Sequence, residues 1–287
     1  MKSFLFLALF FLFKPVFSKG QDFEIPEDTA RLDIGKLARH ILPDSTATTY
    51  ARVSAVVSWT NTRFAWTYTD YKRRTVKEII CRRGGNCNEQ ARVVSALLTE
   101  AGIQNRRVSE INIQPESTQR QESAEKKIKE NGFRMSVFGL RHNDHVWIEY
   151  FDENLKAWEP ADPTLGLVGL EAWIKARAGF GQRINHDILP SRDMLVPIAV
   201  FALGPDGTIL ENRSRHYLVN AFNQVYEKKL SAGPAWSGWT EEVLNLEQVC
   251  RQAFEGRVNL HEHTDQIKKI REEYQSLRTW YIDRHEP

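Results

Sequence analysis

Cysteine is scarce in this 287-residue chain, which has only Cys81, Cys87 and Cys250. An odd number leaves one thiol over after any pairing. If Cys87 is reactive, Cys81 and Cys250 can pair; equally, Cys81 can be an inert buried thiol behind Ile79 and Ile80. Long apolar runs are also missing. The run from Phe4 to Phe13 falls short of the roughly 20 residues that span a bilayer, and no later stretch is long enough, so no stable membrane anchor is expected. No cysteine precedes Cys81, which argues against a lipid-anchored amino terminus of the bacterial lipoprotein kind. There is no CxxC pair, no HExxH and no internal repeat. A zinc site built from Cys81, Cys87, His142 and His145 therefore ranks low, and no metal or cofactor is expected. Excess charge of one sign is absent too. If residues 1–18 are removed, Lys2 and Lys14 go with them, leaving 37 of the 39 basic residues against 37 acidic ones. That balance offers nothing to nucleic acid or an anionic membrane.

The amino terminus itself has the pattern of a secretory signal: Lys2, the apolar run, then Val16-Phe17-Ser18. The expected location is secreted or periplasmic, with residues 19–44 a leader, 45–230 the main domain and 231–287 a helical extension after the Gly- and Pro-containing stretch Ser231 to Gly238. The roughly 270 residues that remain can bury a sizeable core.

Gly84-Gly85-Asn86-Cys87-Asn88-Glu89-Gln90-Ala91 organises the rest. Asn86 is a good N-cap, Glu89 completes a capping box, and Gly102 is placed to end the helix. Cys87 then occupies the first helical position, where free N–H groups and the helix dipole favour thiolate over thiol. Gly84 and Gly85 leave the approach to the sulfur without side-chain bulk. Cys87, Ala91, Val94, Leu98 and Ala101 form a stripe that the core should bury.

Downstream, His145-Val146-Trp147-Ile148-Glu149-Tyr150-Phe151 alternates faces, with His145, Trp147, Glu149 and Phe151 on one and Val146, Ile148 and Tyr150 on the other. Asp152-Glu153-Asn154 is a turn, and Leu155 to Glu159 can return as the partner strand. The outer ends of an antiparallel pair meet. Asp162, just past the second strand, can therefore approach His145 at the start of the first. Imidazole taking a thiol proton while a carboxylate fixes its tautomer is the logic of a Cys-His-Asp site. Taken singly, each residue has a plainer reading: a small buried thiol, a satisfied histidine, an Asp-Pro turn. Trp59 and Trp66 lie upstream and can line the site, although the plainer reading of both is as core aromatics.

Other segments are expected as follows: helices at Thr29–His40, Thr46–Trp59 and Thr75–Arg82, and an extended stretch at Phe64–Tyr71. A strand at Arg107–Ile113 and a solvated excursion at Pro115–Gly132 come next, then a strand at Phe133–Leu140. Beyond these lie a helix at Leu170–Ala178, a strand at Met194–Ala202, and helices at His216–Leu230, Thr240–Phe254 and Asn259–Asp283.

The Gly-Gly-Asn-Cys-Asn-Glu-Gln-Ala segment with its Leu-Leu-Thr-Glu-Ala-Gly-Ile ending resembles the nucleophile helix of the transglutaminase-like superfamily. His145-Val146-Trp147-Ile148-Glu149 is similar to that family's histidine strand, and Trp158-Glu159-Pro160-Ala161-Asp162-Pro163-Thr164 to its W-x-x-x-D-P-T segment. The likeness covers about residues 45 to 170. It implies an α+β, papain-like fold with the nucleophile helix packed on an antiparallel sheet, and it carries over Cys87 as nucleophile, His145 as base and Asp162 as orienter. Members cross-link proteins, cleave amide bonds, or have lost catalysis and bind. A protein or peptide substrate is implied, by hydrolysis or by transfer to an amine; the alternative is an inactive scaffold.

Overall fold

The computed structural model describes residues 23–42, 46–67, 70, 72–112, 144–178, 196–258 and 260–285. The expected signal segment, the Pro115–Gly132 excursion, the Phe133–Leu140 strand and His142 lie outside these residues.

Among the described residues a 3-10 turn at Thr29–Arg31 is followed by three α-helices: α1 (Ile34–Ile41), α2 (Thr49–Arg63) and α3 (Val76–Arg82). Each starts at a side-chain cap, Asp33, Thr48 and Thr75 in turn, with Thr75 and Glu78 forming a full capping box. Of the expected extended stretch Phe64–Tyr71, only β1 (Ala65–Trp66) is a strand, and it pairs in parallel with β2 (Gly84–Gly85). Helix α4 (Cys87–Glu100) follows directly.

Among the described residues, six antiparallel strands form the sheet: β3 (Asn105–Asn112), β4 (His145–Asp152), β5 (Ala157–Asp162), β6 (Leu167–Val168), β7 (Pro197–Leu203) and β8 (Ile209–Asn212). Their order is β6-β5-β4-β3-β7-β8. Helix α5 (Leu170–Ala178) follows β6. After β8 a π-helical stretch, Arg215–Ala221, runs into α6 (Phe222–Leu230), then α7 (Trp236–Phe254) and α8 (Thr264–His285).

The alternation in β4 divides the core in two. Val146, Ile148 and Tyr150 face the amino-terminal helices, sharing a cluster with Val56, Ile79, Ala91 and Leu98. Trp147 points the other way, into a cluster with Trp173, Tyr217, Trp239 and Tyr274. At roughly 25 cal/mol per Å² of apolar surface, these two faces supply the main stabilising term. Ser231 to Ala235 is a short connection between α6 and α7, and both helices pack in that second cluster. The stripe Ile270, Tyr274, Leu277 and Tyr281 on α8 is buried there too. No helix among the described residues is long and apolar enough to cross a membrane.

Of the two alternatives for Cys81, the unpaired thiol is the one found, since all three cysteines are free: Cys250 is buried in the second cluster, whereas Cys81 packs against the first, on the opposite side of the sheet. One expectation needs correction. Strand β5 does not stop at Glu159. It continues through Pro160, opposite Glu149, so Asp162 is its last residue rather than one beyond it.

Candidate active site

The Asn86 side chain accepts from Glu89 N–H at 3.0 Å, and Glu89 Oε2 accepts from Asn86 N–H at 3.2 Å, placing Cys87 at the first position of α4. Glu89 is buried and also binds Arg74 Nη1 at 3.0 Å, while Gln90 Nε2 donates to Gly85 O at 3.0 Å. These bonds lock the turn that presents the sulfur. The two glycines serve this turn more than the approach to it. A Cβ on Gly85 would lie 2.7 Å from Glu89 Cβ, and one on Gly84 3.0 Å from Ala65 O.

His145 opens β4 and is buried. The β4–β5 register pairs Ile148 with Ala161, so one step further Asp162 falls opposite Trp147 and diagonal to His145 on the same face. His145 Nε2 lies 2.8 Å from Asp162 Oδ2, and Asp162 is fully buried. The other carboxylate oxygen accepts from Thr164 and Leu165 N–H at 3.1 and 3.3 Å. From α2, Asn61 Nδ2 donates to Pro163 O at 2.9 Å and Thr164 O at 3.1 Å. Gly166, at φ +67°, lets the chain pass close to Asn61, where a Cβ would be 3.0 Å from its Oδ1.

With Nε2 engaged by Asp162, the other ring nitrogen is left for Cys87, which lies close enough for thiol and imidazole to shift each other's protonation. Burial by itself raises the thiol pKa; the His145 hydrogen bond and charge, with the Val146 N–H, overcome it and hold Cys87 below the usual thiol value. On His145, burial acts downward and the Asp162 carboxylate more than offsets it, so the ring holds its proton more tightly than free imidazole. Both shifts favour a thiolate beside an imidazolium. The other thiols go the opposite way: burial pushes Cys81 up, and Cys250 up to about 12.

Residues 36–163 match the family model of the transglutaminase-like superfamily. That segment is a transglutaminase-like core. No curated protein matches the chain. Among solved structures it is similar to a candidate cysteine protease from Cytophaga hutchinsonii, at 20% identity and a TM-score of 0.33, over 47% of this chain and 40% of that one. It is also similar to Rad4–Rad23 bound to a 6-4 photoproduct lesion, at 9% identity and a TM-score of 0.36, over 81% of this chain and 54% of that one. A further Rad4/XPC structure gives 9% identity and a TM-score of 0.36, over 85% and 55%. The chain thus spans between two fifths and just over half of these neighbours.

Within the transglutaminase-like core, Cys87, His145 and Asp162 come together from α4, β4 and β5. Among the described residues no group of three or more His, Cys, Asp or Glu is placed to hold a metal. Trp59 packs edge-on against Phe64, as a core aromatic would, but Trp66 is 51% exposed on the strand beside Gly84–Gly85. A cavity of about 690 Å³ bordered by Glu159, Lys175, Lys229 and Tyr281 has none of the three site residues in its walls. Sequence reading missed Asn61, Glu110 and Arg177, which surround the site from distant parts of the chain. For Glu110 a signal existed, since an acid amid the strand residues Val108, Ile111 and Asn112 must be either solvated or paired. For Arg177 and Asn61 there was none.

Proposed function

We propose that the protein is an exported thiol enzyme that acts on amide bonds of a protein or peptide by acyl transfer through Cys87. The observation that carries this reading is His145 bonded to Asp162 at 2.8 Å and set beside a thiol whose pKa it draws below the usual value. The Cys87 thiolate attacks the carbonyl carbon, and the developing oxyanion lies near the N–H groups that start α4, where Cys87 N–H contributes a donor. Imidazolium at His145 protonates the leaving amine, giving a thioester. Neutral His145 then takes a proton from water, which releases the acid, or from an amine, which gives a new amide. Asp162 keeps the ring oriented through both halves. Water is the favoured acceptor because no feature points to an amine. The amino-terminal pattern Lys2, Phe4–Phe13, Val16-Phe17-Ser18 supports export to the periplasm or medium.

Incubation with casein and a fluorescent amine tests this reading. Casein fragments that fail to form with Cys87→Ala are the expected result. Amine incorporation without fragments contradicts hydrolysis, and neither product over a range of peptide substrates favours the inactive scaffold.

A further inference from the structure

Behind His145 lies a buried ion pair. Glu110 sits in β3 directly across from His145 and is fully buried. Its Oε2 accepts from Trp147 Nε1 at 3.0 Å, and its Oε1 contacts Arg177 Nη2, which reaches in from α5. Arg177 Nη2 also lies 3.4 Å from Asn112 Oδ1. Asn112 N–H donates to Asp144 Oδ2 at 2.8 Å, and Asp144 N–H donates to Glu110 O at 2.9 Å. These contacts close a ring of Glu110, Arg177, Asn112 and Asp144 beside the first residue of β4, which is the histidine.

Such a ring is an expensive way to pack a helix on a sheet. Arg177 is 2% exposed, yet its Nε and Nη1 have no hydrogen-bond partner among the described residues. A buried ion pair is often no more stabilising than an apolar pair of the same size. Burial acts against the Arg177 cation, but guanidinium stays protonated in proteins, so the pair carries one full charge of each sign. The two charges are not equivalent to the site. Glu110 faces His145 across the ladder, whereas Arg177 lies within the field of Cys87.

We propose that the Glu110–Arg177 pair sets the proton balance of the Cys87–His145 couple, with Arg177 favouring thiolate and Glu110 favouring imidazolium. Both act as positioning residues, and the inference rests on reading Cys87 and His145 as nucleophile and base. The other charged or titratable groups facing the couple are Asp162 from β5, Asp144 just ahead of β4, and Tyr274 from α8, which neighbours Arg177. Cys250 from α7 faces Asp144. Among these groups Arg177 supplies the positive charge that opposes the carboxylates.

The test uses the full chain, with the Cys87 midpoint read from the pH profile of iodoacetamide labelling and the His145 midpoint from imidazole NMR. Arg177→Gln should move both midpoints up, and Glu110→Gln should move both down. At a fixed pH below the wild-type thiol midpoint, Arg177→Gln should label about ten-fold more slowly and Glu110→Gln about ten-fold faster. Arg177→Lys keeps the charge and should restore most of the wild-type rate. Should a single variant fail to fold, the double variant Glu110→Leu/Arg177→Met removes the pair without leaving a lone charge, and its two midpoints should converge. A purely structural role would lower labelling in both single variants with no opposite shifts, and that outcome overturns the proposal. So does a folded double variant with wild-type midpoints. A wild-type Cys87 that titrates like a free thiol would instead overturn the reading of the site itself.

Discussion

Asp162→Asn keeps nearly the shape of the side chain and removes one charge. Asp162 Oδ2 is 2.8 Å from His145 Nε2, and both side chains are buried. Unit charges about 4 Å apart at an effective dielectric constant of about 20 interact by about 4 kcal/mol. The amide retains a neutral hydrogen bond, so the imidazolium should lose about 2–4 kcal/mol, equivalent to two or three decades in the stability of its proton. Asp162 also repels the Cys87 thiolate, but only from beyond the ring, so the loss at His145 dominates. A second effect has the same sign. The asparagine oxygen can serve the Thr164 and Leu165 N–H groups only if its NH₂ turns toward Nε2, which forces the neutral ring to place its proton on the nitrogen facing the sulfur. Cys87 labelling by iodoacetamide near pH 6 should fall roughly 100-fold. Stability should change with a defined pH window. The folded pKa of His145 is raised, so its contribution is complete below the unfolded value near 6.5 and is lost as pH rises through the folded value. The wild type should therefore exceed the variant most near pH 6, and the gap should close in alkali. A labelling profile identical to wild type, in a folded variant, would refute the reasoning.

Gly85→Ala should cost on the order of 1–3 kcal/mol in urea unfolding, because a Cβ 2.7 Å from Glu89 Cβ must displace the capping box; unchanged stability and labelling would show the turn to be compliant. Glu149 is fully buried and accepts from Arg106 at 2.7 Å, Arg213 at 2.9 Å and Tyr217 OH at 2.6 Å. Glu149→Gln should cost about 3–5 kcal/mol while the folded fraction still labels at Cys87, and a loss below about 1 kcal/mol would mean the network is solvated. Asn61→Ala removes both bonds to the Pro163 and Thr164 carbonyls and should cost about 1–3 kcal/mol, with labelling at acid pH falling as Asp162 loosens.

What could be read from the chain was what local chemistry dictates. The cap at Asn86 and Glu89 fixes where α4 begins, and the observed helix is Cys87–Glu100. The alternation through β4 separates Val146, Ile148 and Tyr150 from Trp147, and the two cores divide in the same way. Leu170–Ala178 is a helix with Trp173 and Ile174 inward, as its pattern implies. Misreadings arose where a partner far along the chain decides the outcome. Gly84 and Gly85 form a ladder with Ala65 and Trp66, which leaves Trp66 exposed rather than buried. Pro160 stays in β5 opposite Glu149, with its carbonyl accepting from Gly169 N–H at 2.8 Å, a partner that lies beyond β6. Glu110 and Arg177 are 67 positions apart, and nothing local to either announces the other.

The ionisation of Cys87 can be followed directly by the ultraviolet absorbance of thiolate, recorded as wild type minus Cys87→Ala across pH. The account predicts that the difference signal persists well below pH 8.5, the ordinary thiol value, and collapses only in acid. A single step at or above pH 8.5 would contradict it.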